Sequence, residues 1–87
     1  MASELEGLAL KYAQEALKSE KEGLRDKAIE GYSRAIEALL KLVKLYPDYP
    51  LNKVYMEKAL MYQQRIRMLQ MGLSFEGVFT SDGCTKT

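Results

Sequence analysis

A catalytic reading of this sequence would have to start from its acidic pairs, Glu4 with Glu6 and Glu20 with Glu22. Two carboxylates can divide the roles of acid and base when they converge on one site. Residues two apart on a helix project away from each other, so neither pair converges and both read as solvated surface charge. The 87-residue chain has no histidine, which removes the usual general base and the commonest metal ligand. Its one cysteine, Cys84, stands in a stretch rich in Gly, Ser and Thr, so a single chain can assemble neither a disulfide nor a thiolate metal site. No glycine-rich phosphate loop and no Gly-x-Ser-x-Gly elbow occurs. The chain is therefore expected to be no enzyme, with no catalytic, cofactor-binding or metal-ligating residue.

Composition bounds the remaining classes. Thirteen basic residues against twelve acidic ones give a net charge of +1, and the two signs are interspersed. Such a distribution carries no footprint for nucleic acid and none for an anionic membrane surface, and no direct membrane insertion is expected. Purely apolar runs such as Ala38 to Leu40 are far short of the roughly 20 residues that span a bilayer. The opening Met1-Ala2-Ser3-Glu4 lacks the basic and apolar regions of a signal peptide, so a cytoplasmic location is expected. Hydrophobic content of 47% beside 29% charged residues belongs to a globular chain, with a thin core at this size.

Three helical segments must position whatever the surface offers. The first is expected to start at a capping box, Ser3 with Glu6, and carries Leu5, Leu8, Ala9, Tyr12, Ala16 and Ser19 at three- and four-residue spacing. Gly23 is its natural stop. The second resumes near Leu24 to Lys27, with a stripe of Ala28, Ile29, Tyr32, Ala35, Ile36, Leu39, Val43 and Tyr46, and ends at Tyr46-Pro47-Asp48-Tyr49-Pro50. Pro50 suits the first turn of the third, which shows Tyr55, Ala59, Tyr62, Ile66, Leu69 and Leu73 on one face and stops near Gly72 or Gly77. The fold expected is all-α, a three-helix antiparallel up-down-up bundle over residues 3–73, followed by a linker or tail over 74–87 in which Phe75, Val78 and Phe79 stand. Its interior should hold Tyr12, Ala16, Ile29, Tyr32, Ile36, Leu39, Tyr55, Tyr62, Ile66 and Leu69. Gly31 sits inside the second helix, where glycine costs about 1 kcal/mol relative to alanine, and so marks a close contact.

The order of Ala13-x-x-Ala16, Glu20, Gly23, Ala28, Tyr32, Ala35 and then Tyr62-x-x-Arg65-x-x-x-Leu69 resembles the MIT (microtubule interacting and trafficking) domain, from about Leu8 to Leu73. That domain stands at the N-terminus of the AAA ATPases that disassemble ESCRT-III filaments. The lack of histidine and tryptophan, with many Leu, Lys and Glu, suits an archaeal homologue. The resemblance implies a non-catalytic module, monomeric as an isolated domain, that binds the tail peptide of an ESCRT-III-like protein. It would thereby be recruited to membrane-associated filaments, with the ATPase supplied by a module beyond Thr87. The segment Gly23-x-x-x-x-Ala28-Ile29-x-x-Tyr32-x-x-Ala35-Ile36 also resembles a tetratricopeptide helix pair, but no second copy follows about 34 residues later.

In the MIT family the grooves beside the third helix receive such tails, an extended proline-containing segment on one side or a helical one on the other. On the first helix Leu10, Ala13 and Leu17 fall outside the predicted core stripe, and an exposed apolar strip marks an interface. With about 100° per residue, Met56, Leu60, Gln63 and Arg67 lie on one flank of the third helix, and Val54, Met61, Arg65 and Met68 on the other. The peptide-binding residues expected are Leu10, Ala13, Leu17, Met56, Leu60, Gln63 and Arg67. Leu40, Met61, Arg65, Met68 and Leu69 form the alternative groove. Methionines at such positions suit either flank packing or adaptable recognition. Self-association through the same leucines is the competing role.

Overall fold

The structure, a computed structural model, describes residues 2–72, with side chains from Glu4 onward. The first helix already includes Ser3, whose side chain is not described, so its capping bond lies outside what is described, as does the 74–87 tail. Three helices follow one another: α1 from Ala2–Lys21, α2 from Arg25–Leu45 and α3 from Asn52–Gln70. They form the up-down-up antiparallel bundle. α2 packs along both neighbours, while the backbones of α1 and α3 stay apart and are linked through side chains. That arrangement leaves a furrow between the two outer helices.

The turns follow from local chemistry. Gly23 takes φ +78°, its N–H bonds the Glu20 carbonyl at 3.1 Å, and the Leu24 N–H reaches the Ser19 carbonyl at 2.8 Å. This pair of bonds satisfies the last carbonyls of α1 and reverses the chain within three residues. Gly72, at φ +83°, ends α3 by bonding the Leu69 carbonyl. Between α2 and α3 the Asn52 amide donates to the Tyr46 carbonyl at 2.7 Å, and the Asn52 N–H to the Tyr49 carbonyl. Pro50 therefore occupies a turn ahead of the helix and not its first turn: α3 opens at Asn52 because that backbone bond closes residues 49–52 first.

Small residues decide how the helices meet. Ala9, Ala13 and Ala16 of α1 are buried, as are Ala28, Ala35 and Ala38 of α2 and Ala59 of α3. One core cluster gathers Ala9, Ala38, Leu39, Leu42, Tyr55 and Ala59, the other Ala16, Ala28, Tyr32 and Leu69. Tyr32 and Tyr62 stack with ring centroids 5.6 Å apart and join the two.

The core departs from expectation on α1. Tyr12 is only half-buried and Leu8 is exposed, because α1 turns its alanines toward α2 and leaves its larger side chains on the edge. There the Arg34 guanidinium carbon lies 5.9 Å from the Tyr12 ring centroid. Ile29, Ile36, Tyr62 and Ile66 are likewise half-buried around the clusters, whereas Leu42, outside the predicted stripe, is fully enclosed.

Candidate peptide-docking groove

The furrow between α1 and α3 holds a groove of about 560 Å³ lined by Leu10, Ala13, Gln14, Leu17, Glu20 and Lys21 of α1, Tyr32 of α2, and Met61, Tyr62 and Arg65 of α3. A second depression of about 360 Å³ shares Leu10 and Tyr62 with it and continues to Glu6, Tyr55 and Lys58. The two adjoin at Leu10 and Tyr62 and are together the channel between α1 and α3. Ala13, buried, and Tyr32 make its floor. Leu10, Leu17 and Met61 form the walls and remain 53%, 38% and 48% exposed, so much of their apolar surface has no partner within the described bundle.

Polar bridges tie α1 to α3 at both ends of this channel. At one end the Tyr55 hydroxyl donates to Glu6 Oε2 at 2.8 Å. Burial and then this hydrogen bond to a carboxylate push the Tyr55 phenol up to about 12. At the other end the Tyr32 hydroxyl donates to Glu20 Oε1 at 3.0 Å, Arg65 Nε donates to the Tyr32 oxygen at 3.0 Å, and Arg65 Nη2 reaches Glu20 Oε1 at 3.1 Å. Burial raises the Tyr32 phenol; Arg65 opposes that rise and Glu20 adds to it. Burial lowers the Arg65 guanidinium, but its bond to Tyr32 and the attraction of Glu20 outweigh this and leave it raised. The Glu20 side chain is only 5% exposed, so this carboxylate is held by its partners and not by water.

The expected binding residues separate into groups. Leu10, Ala13 and Leu17 come together in the groove. Met61 and Arg65, read from the sequence onto the alternative side, face them there. Met56, Leu60, Gln63 and Arg67 are exposed and line neither part of the channel. Of the alternative set, Leu69 is buried in the core, Met68 is half-buried, and Leu40 borders a separate depression with Leu5 and Leu8. The two flanks of α3 are thus exchanged relative to the sequence reading. A helical wheel shows which residues share a flank, but only the handedness of the bundle decides which flank faces α1.

Gln14, Glu20, Lys21, Tyr32 and Tyr62 complete the lining without having been expected there. A signal for part of this set existed: Leu10, Ala13, Gln14, Leu17 and Lys21 recur at helical spacing and make a second stripe beside the core stripe of α1. No comparable signal marks Tyr32, which serves core and groove at once. Among the described residues no cluster of His, Cys, Asp or Glu could hold a metal, and no helix is long and apolar enough to cross a membrane.

The described residues form a three-helix bundle with an apolar channel between its outer helices. Residues 7–71 match the MIT (microtubule interacting and transport) domain, and the chain belongs to that family of non-catalytic interaction domains. It is also similar to the protein named "Cell division protein C" of the archaeon Sulfolobus acidocaldarius, at 47% identity over 51 residues. That stretch covers 59% of this chain and 14% of the relative, so the chain spans only a small part of that protein's length.

Proposed function

We propose that this chain docks the tail peptide of an ESCRT-III-like filament protein in the channel between α1 and α3, and so brings an attached AAA ATPase to its substrate during cell division or membrane remodelling. One observation carries the choice of site: the exposed walls Leu10, Leu17 and Met61 stand over the small floor residue Ala13. The ledge suits an extended segment with one or two apolar anchors. Family membership supports peptide recognition in general, and similarity to a cell division protein supports that cellular setting.

The channel runs about 21 Å from Glu6 to Glu20 along α1, room for roughly six extended residues. So small an interface implies weak binding, of micromolar order and about −8 kcal/mol. Titrating a labelled chain with an ESCRT-III-like tail peptide tests the site. Shifts at Leu10, Leu17 and Met61 are expected. Shifts confined to Met56, Leu60 and Arg67 would move the site to the other flank of α3, and dimerisation without peptide, abolished by Leu17→Asp, would replace docking with self-association.

A further inference from the structure

The two ends of the channel differ in the charge they leave over. At the Tyr55 end Glu6 and Lys58 line it together, one charge of each sign. At the other end Glu20, Lys21 and Arg65 line it, and Arg65 is spent on Glu20 at 3.1 Å and on the Tyr32 hydroxyl. Lys21 remains. It is exposed, and neither the Glu30–Arg34 nor the Glu20–Arg65 ion pair includes it. The channel therefore presents one surplus positive charge, at the end where α1 stops.

The spacing of that charge from the apolar walls matches an extended peptide. Lys21 lies one helical turn beyond Leu17, about 5–6 Å along the same face. In an extended segment, residues two apart point to the same side and lie about 6.5–7 Å apart. A peptide whose apolar anchor sits against Leu17 and Met61 would then place the side chain two positions on beside Lys21. We propose that the segment bound in this channel carries an acidic residue two positions from its apolar anchor, and that Lys21 reads it and so fixes the direction in which the peptide lies. This rests on the docking reading above. Arg65 acts as a positioning residue: by holding Glu20 it keeps that carboxylate from repelling the incoming acid.

The test uses the full chain and a short proline-rich synthetic peptide with one leucine anchor, made in two versions with Glu or Gln two residues after the leucine. The Glu version is expected to bind about two- to fivefold more tightly at low salt, a preference that shrinks as ionic strength rises. Lys21→Gln should abolish the preference and Lys21→Glu should reverse it, with unchanged circular dichroism, since the side chain is exposed. Leu17→Asp should weaken both versions alike, which reports on the docking site and not on charge. Equal affinity of the two peptides, or a preference that survives Lys21→Gln, would overturn the role of Lys21 while a Leu17→Asp effect still upheld the groove; insensitivity of both peptides to Leu17→Asp would overturn both.

Discussion

Gly31 and Ala16 face each other across the α1–α2 interface so closely that a Cβ built on Gly31 would stand 2.8 Å from the Ala16 Cβ and 3.1 Å from the Tyr12 carbonyl oxygen. Glycine in mid-helix is thus explained by the approach of two backbones. In an isolated helix Gly31→Ala would gain about 1 kcal/mol of propensity. Here the added methyl meets rigid neighbours, and overpacking costs about 1–3 kcal/mol. Gly31→Ala should therefore lower the denaturant midpoint, and Ala16→Gly in the same chain should restore part of the loss. A stabilised single variant would contradict the packing.

Leu42 is completely enclosed between the helices. Truncating such a side chain removes its transfer free energy and leaves a cavity, so Leu42→Ala should cost about 2–5 kcal/mol. Small domains often have only about 5–15 kcal/mol in total, so thermal melting should shift strongly downward. The same truncation at Leu40, which is exposed, should change melting little.

The Tyr55 phenol is raised from 10.0 to about 12, by burial first and by its bond to Glu6 second. A folded-state value above the unfolded one means that the native state holds the proton more tightly. The resulting stability is fully present below pH 10 and is lost as pH rises from about 10 to about 12. Alkaline titration followed by phenolate absorbance and helix content should show this loss, and Tyr55→Phe should flatten the decline in that window. An unchanged alkaline profile in the variant would exclude Tyr55 as its source.

Arg65 and Glu20 form a largely enclosed pair that also holds Tyr32. Arg65→Met would leave a desolvated carboxylate without its guanidinium partner, at a cost of about 1–3 kcal/mol. Adding Glu20→Gln to that variant should recover part of the loss. Chemical denaturation of the two single variants and the double variant measures the coupling, and strict additivity would show that the pair contributes nothing.

Legibility differed between fold and site. The Gly23 turn, the proline-bearing loop and the 3.6-residue period of α2 are local features, and each produced the element it implied. Core membership was legible where the apolar stripe was broad, as for Tyr32, Leu39, Tyr55 and Leu69. It failed where size misled: Tyr12 and Leu8 looked like interior residues and are half-buried and exposed, while Ala13, read as outside the stripe, is buried beside Ala9 and Ala16, which lie on the core face as expected.

By itself, the sequence determined the helices, their order and the small-residue face of the bundle, because turn chemistry and periodicity act over a few neighbouring positions. It also carried the pattern by which the chain belongs to the MIT family. Only the tertiary structure decided that Met61 and Arg65, and not Leu60 and Gln63, stand across from Leu10 and Leu17. The physical reason is that a helix repeats its flanks symmetrically about the core direction. The side on which α3 meets α1 is set by how all three helices pack, which no local pattern records.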